Sequence, residues 1–248
     1  MPDPIVELKS VRKTLKSKTD GSEVNTPVFN GLDLTISVGE RIGIIGPSGS
    51  GKTTLLKLVN RLEDADEGTI SVDGRDVFDW DARALRRKAA LVLQKPYIFE
   101  GTVYDNVAFP YTAANEKTPP RKTVEELLSE AGLPDVDTAR PAAALSVGQQ
   151  QRVCLARSLA TEPSVLMLDE TTSSLDPNVA AGVLKKIYGR CRSDRLTLIH
   201  VTHEVPKLRD LDRIAVIAGG TITEEGTPER ILEGPISAAT KDFLAGFS

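Results

Sequence analysis

Apolar and polar positions alternate along Ile5-Val6-Glu7-Leu8 and again along Leu32-Asp33-Leu34-Thr35-Ile36, a period of two that predicts strands near the N-terminus. Between them Lys16 to Pro27 is polar around Asp20-Gly21, which fits a hairpin or a loose loop. Glu67 to Gly74 reads as another strand with a turn at each end, and Ala82 to Lys88 as a short basic helix. Other runs are apolar throughout, as in Ile42-Gly43-Ile44-Ile45, Ala89 to Leu93, Val165 to Leu168 and Ile214 to Ile217, or nearly so, as in Leu196-Thr197-Leu198-Ile199. Strands of that kind, alternating with helices, imply a largely parallel sheet with ligands at the carboxyl ends of its strands. From Lys95 to about Glu162 the pattern changes to helices broken by Pro110, Pro119-Pro120, Pro134 and Pro141. The pattern suggests an α/β core with β-rich residues 4–40 at its start and a helical subdomain inserted at 95–162; length alone does not decide between one domain and two lobes.

Composition narrows the class only a little. Hydrophobic content of 40% and charged content of 27% are ordinary for a globular chain of 248 residues. A net charge of −4 gives no basic field, so no nucleic-acid partner is expected. Cys154 and Cys191 have neither metal-site nor disulfide-framework spacing, which fits a reducing compartment. No apolar stretch approaches the ~20 residues that span a bilayer, and Met1-Pro2-Asp3-Pro4 does not begin a signal peptide. A cytoplasmic location is expected, with docking on a membrane protein left open.

The chemistry starts at Gly46-Pro47-Ser48-Gly49-Ser50-Gly51-Lys52-Thr53-Thr54, which has the G-x-x-x-x-G-K-[ST] spacing of a phosphate-binding loop. An apolar run precedes it and Leu55-Leu56-Lys57-Leu58-Val59 follows, so the strand–loop–helix context is present. Glycines let successive N–H groups turn inward as an anion nest, and the helix adds its positive end. Lys52 then neutralises the β- and γ-phosphates of a nucleoside triphosphate, and the Thr53 hydroxyl ligates Mg²⁺.

Asp169-Glu170 ends a second strand, with Asp169 placed to hold Mg²⁺ and Glu170 to act as general base on the attacking water. Ser146-Val147-Gly148-Gln149 opens a helix with capping-box spacing; the Ser146 hydroxyl and the Gly148 N–H also suit a second anion site. Gln94 and His203 each follow an apolar strand, whereas His200 lies inside one and reads as core.

In this order and spacing the motifs resemble those of the nucleotide-binding subunits of ABC transporters, over essentially the whole chain. The fold implied is the ABC ATPase fold, a single α/β domain over residues 1–248: a P-loop NTPase core with a mainly parallel sheet, an N-terminal antiparallel β-subdomain and the helical subdomain inserted at 95–162. The resemblance implies that Gln94 senses the γ-phosphate and the metal, and that His203 contacts the γ-phosphate and orients Glu170. It also implies a homodimer in the ATP-bound state, in which Ser146, Gly148 and Gln149 clasp the ATP of the opposite subunit. Asp176, in Ser174-Leu175-Asp176-Pro177, communicates across that dimer. Beside these stand blander readings: a solvated strand end for Gln94, a helix-start turn for Asp176-Pro177, and a structural histidine for His203.

Three positions depart from the family pattern. Leu15 stands where an aromatic residue usually stacks on adenine, Val147 replaces a common glycine, and Thr171 replaces a usual proline. Softer similarities, over Gln94 to Asn106 and Phe109-Pro110, are to iron-export and aluminium-tolerance ATPases and to phosphate-import ATPases. The implied partner is a multi-span membrane permease that holds the chain at the cytoplasmic face of the membrane and selects the solute. A soluble ABC-type ATPase of cofactor assembly is the alternative.

Overall fold

The computed structural model describes residues 4–19, 22–173 and 175–246; Met1 to Asp3, Asp20, Gly21, Ser174, Phe247 and Ser248 lie outside the described residues, and with Asp20-Gly21 the expected centre of the polar hairpin or loop. The N-terminal alternation becomes an antiparallel hairpin of β1 (Pro4–Thr19) and β2 (Ser22–Ser37). After it β3 (Arg41–Ile45) crosses into a second sheet, while β4 (Glu67–Val72) and β5 (Arg75–Asp76) return to the first, in the order β2-β1-β4-β5. β1 pairs with β4 only as far as Arg12↔Glu67, so beyond that point the hairpin extends as a two-stranded ribbon.

The second sheet has six strands: β3, β6 (Ala89–Val92), β7 (Val165–Asp169), β8 (Thr197–Val201), β9 (Arg213–Ala218) and β10 (Thr221–Gly226). Their order is β10-β9-β3-β8-β7-β6, parallel except for β10 at one edge. β3, β7 and β8 are covered on both faces, and for that reason their sequences are apolar without alternation. Two cores result. Ile42 and Ile44 pack with the first sheet and with α1 (Lys52–Val59). Ile45, Leu166, Leu168 and Leu198 pack under the helices of the opposite face. Gly43 lies on β3 because a Cβ there would meet Leu211 Cδ1 at 2.8 Å and Leu208 Cδ2 at 3.0 Å.

After α2 (Ala82–Lys88) and β6 come α3 (Val103–Ala113), α4 (Arg121–Glu130) and α5 (Val147–Leu159), before the chain returns at β7. Pro110 does not break α3 as the sequence suggested; the helix runs through it to Ala113. One proline removes one ladder bond, here to the Asn106 carbonyl, and the helix start is held independently. Thr102 and Asp105 form a capping box, and buried Asn106 bonds both the N–H and the C=O of Phe99. The remaining helices are α6 (Pro177–Ser193), α7 (Val205–Leu208), α8 (Pro228–Glu233) and α9 (Ala238–Ala245). No described helix is long and apolar enough to cross a membrane.

His200 is the core residue the sequence suggested, fully buried in β8, and neither ring nitrogen has a hydrogen-bond partner. Burial, with a smaller push from Lys207, lowers its pKa to about 3 from 6.5. Below pH 6.5 the unfolded chain therefore binds a proton that the folded chain refuses, and stability falls as pH drops from about 6.5 towards 3. The slope contributed is about 1.4 kcal/mol per pH unit. Denaturant unfolding at pH 7.5, 6.0 and 5.0 should show His200→Leu with a flatter acid limb than wild type; parallel limbs would refute this assignment.

Candidate functional site

The phosphate-binding loop leaves the carboxyl end of β3, between β8 and β9. Its glycines are needed where they stand. Gly46 has φ of +148° and a Cβ there would lie 2.1 Å from the Ile217 carbonyl oxygen. Gly51 has φ of +98°, caps α1 and sits 2.5 Å, as a virtual Cβ, from Val28 Cγ1. Left-handed turns at these positions direct the loop's N–H groups and the start of α1 into one concavity.

Lys52 Nζ donates to the carbonyls of Gly46 and Pro47, each at 2.8 Å, and so spans the loop. Burial pulls its ammonium below the ordinary lysine value, while Glu170 and Asp169 pull the other way. The Thr53 hydroxyl donates to Asp169 Oδ2 at 2.9 Å. Asp169 is buried, and desolvation raises its carboxyl above the usual range against the opposing effect of the Thr53 bond; neighbouring Glu170 raises it further.

Glu170 leaves β7 in the left-handed region, with φ of +50°, an uncommon conformation for a residue with a Cβ. Its N–H donates to Val201 O at 2.9 Å and its carbonyl accepts from Ser173 Oγ at 2.8 Å, which holds the turn. The carboxylate accepts from Gln94 Nε2 at 2.9 Å and lies 3.5 Å from His203 Nδ1. Three segments that are far apart in sequence thus converge on two adjoining carboxylates.

One cleft of about 610 Å³ is walled by Leu15, Gly46, Ser48, Gly49, Gly51, Lys52, Thr53, Thr54, Gln94, Glu170 and His203. Pro47 and Ser50 complete the loop, where buried Ser50 Oγ has no partner, and Asp169 sits behind Thr53. Val28, Thr202 and Phe243 also line the cleft and were not read from the sequence. Thr202 adjoins His203, and Val28 lies on the face of the hairpin that carries Leu15, since Leu15 opposes Thr26. Phe243, on α9, follows His203 by 40 residues and belongs to no motif that spacing could flag.

Four candidates lie elsewhere. Ser146 caps α5: its Oγ accepts from Gln149 N at 3.3 Å, and Gln149 Oε1 accepts from Ser146 N at 3.0 Å. Gly148 lies in the first turn of the same helix, and none of the three walls the cleft. Val147 is the first residue of α5, outside the left-handed region, so the departure from glycine costs the backbone nothing there; its side chain is 62% exposed. Asp176 caps α6, accepting from Asn178 N at 2.9 Å, with Pro177 at the first helical position. Within one chain these residues behave as helix starts.

Thr53 and Asp169 present hard oxygen donors side by side, which fits Mg²⁺ bound through one or two protein groups together with nucleotide phosphates. Among the described residues no cluster of three or more His, Cys, Asp or Glu is arranged for a metal ion.

Residues 29–173 match the family model described as "ABC transporter". A methionine import ATP-binding protein of Pseudomonas putida is 40% identical over 247 residues, 97% of this chain and 72% of the relative. A dimeric ATP-binding cassette, in a post-hydrolysis state bound to ADP and Pi, superposes with a TM-score of 0.80 at 29% identity. That match covers 90% of this chain and 98% of the other. A cassette from Clostridium perfringens, part of the ABC transporter complex cbiONQ, gives a TM-score of 0.77 at 29% identity and covers 94% and 92%. Loop, paired carboxylates, fold and relatives agree: this chain belongs to the ABC transporter family, as an ATP-binding and ATP-hydrolysing subunit.

Proposed function

We propose that the chain hydrolyses MgATP at the interface of a homodimer and drives solute transport through a membrane permease. The observation that carries this reading is the convergence of Gln94, Glu170 and His203 beside Lys52 and Thr53 in one cleft. Lys52 leaves its loop carbonyls for the β- and γ-phosphates, and the nest N–H groups hold the phosphate oxygens. Thr53, Asp169 and the amide oxygen of Gln94 would hold Mg²⁺, and the ion would supply positive charge against the phosphates. Glu170 accepts a proton from the attacking water, with Gln94 and His203 fixing its carboxylate. Ser146, Gly148 and Gln149 of a second copy close over the nucleotide, and Asp176 meets that copy's site. Their absence from the cleft of their own chain, and the dimeric relative holding ADP and Pi, support this arrangement.

Base recognition is loose in this proposal. Leu15 is 39% exposed and, with Val28, offers aliphatic contact where relatives stack a ring. Stacking is worth roughly 1–3 kcal/mol per base in nucleic-acid systems. GTP should therefore compete with ATP within roughly tenfold, and Leu15→Tyr should tighten ATP binding. Competition binding that shows no gain from the ring counts against Leu15 as the base contact.

The permease docks in a groove of about 500 Å³ between α2, β6 and α3. Its rim carries Arg83, Arg86 and Arg87, and its floor exposes Leu62, Leu93 and Phe109. Ile98 instead packs partly against the core, and Phe99 stacks on Phe109 with centroids 4.1 Å apart. Gln151 Nε2 donates to Leu93 O at 2.7 Å, and Arg157 to Tyr97 O at 2.7 Å, so α5 is tied to the Gln94 segment beside the groove. The segment over residues 95–162 then carries nucleotide-driven motion to the membrane. Leu62→Asp and Phe109→Asp, at exposed positions in the groove, should abolish co-purification with the permease and transport, with ATP binding unchanged. Normal assembly of both variants would refute the docking site.

The solute is carried by the permease, not by this cleft. The softer similarities in the sequence pointed to metal export or phosphate import without naming a cargo, whereas the relative from P. putida is named for methionine import. Uptake of methionine and other small amino acids by the reconstituted complex is therefore the test of cargo.

A further inference from the structure

We propose that Lys207 is a positioning residue for ATP hydrolysis: it ties the loop after β7 to the loop after β8 and so sets the spacing of Glu170 and His203. The inference rests on the roles given above to those two residues. They come from different loops, 3.5 Å apart, with the His203 side chain 47% exposed and the Glu170 side chain 22% exposed.

Lys207 lies four residues after His203, on the short helix α7, and its side chain is only 13% exposed. Its ammonium donates to the Thr172 carbonyl at 3.2 Å, to Thr172 Oγ1 at 3.0 Å, and to the Glu204 carboxylate. These three acceptors match the three protons of an ammonium group. Thr172 is buried two residues after Glu170, and Glu204 directly follows His203. Its N–H donates to Thr202 Oγ1 at 3.1 Å, which closes the turn that carries the histidine. Leu208, next in the helix, is buried and anchors it against the sheet.

A nearly buried cation is costly unless each proton finds an acceptor and its charge is balanced. Lys207 meets both conditions only while the two loops keep their present register. A tie of this kind acts on the reacting geometry rather than on nucleotide binding, and misplacement by about 1 Å is enough to cost on the order of 100-fold in rate.

Lys207→Met keeps the aliphatic stem and removes the donors. It should lower kcat for MgATP roughly 10- to 100-fold while ADP and ATP affinities stay within about twofold. Lys207→Arg should rescue poorly, because a planar fork does not reproduce three protons diverging from one nitrogen in so enclosed a site. Combined with His203→Ala, Lys207→Met should cost little more than His203→Ala alone, because both act through the same contact. A wild-type kcat for Lys207→Met, a parallel fall in kcat and ATP affinity, or fully multiplicative losses in the double variant would each overturn the proposal. If Lys207→Met does not fold, Thr172→Val carries the test, with unchanged kcat as the refuting result. Glu170→Gln and His203→Ala are assayed alongside; wild-type turnover in those two would sink the reading of the site itself.

Discussion

Glu170→Gln should lower steady-state ATP hydrolysis by roughly 10²- to 10⁴-fold, the range of a positioned general base. The substitution keeps the shape of the side chain and retains an acceptor for Gln94 Nε2, which lies 2.9 Å from Glu170 Oε2. What it removes is the capacity to take a proton from water at a point held by the left-handed turn at φ of +50°. ATP binding should survive, because Lys52 and the loop N–H groups are untouched. The variant should therefore accumulate as an ATP-bound dimer, visible as a shift in elution volume with MgATP. Hydrolysis at the wild-type rate would remove Glu170 from the mechanism.

Lys52→Ala should weaken MgATP binding at least roughly 100-fold, since a hydrogen bond to a charged group is worth about 1.5–3 kcal/mol and Lys52 serves two phosphates. Its two contacts in the structure, to the Gly46 and Pro47 carbonyls, are replaceable by solvent, so the fold should tolerate the change. Calorimetric titration with ATP measures the effect directly, independently of turnover and of any permease. Unchanged affinity would overturn the phosphate-loop assignment. Lys52→Arg should rescue poorly, because a planar fork does not replace a compact ammonium in this space.

Much of this was legible in the residues alone. The loop from Gly46 to Thr54 declares its chemistry locally, since glycines, a lysine and a hydroxyl must stand at fixed offsets to wrap a phosphate. The uninterrupted apolar runs marked the buried strands for an equally local reason, as both faces of each are covered. Start signals were legible as well: Ser146 and Asp176 each cap the helix that follows.

Tertiary structure decided the rest. Pro110 reads as a breaker, yet α3 continues because its capping box and buried Asn106 outweigh one lost bond. Val28 and Phe243 enter the nucleotide cleft only through strand pairing and the seating of α9, neither of which leaves a spacing in the sequence. Lys207 looks like any surface lysine until β7 and β8 lie side by side, when its three protons find acceptors on two loops. Short-range patterns encode what a segment must do for itself. Contacts between segments depend on which strands become neighbours, and a linear pattern of side chains carries that information only through the whole fold.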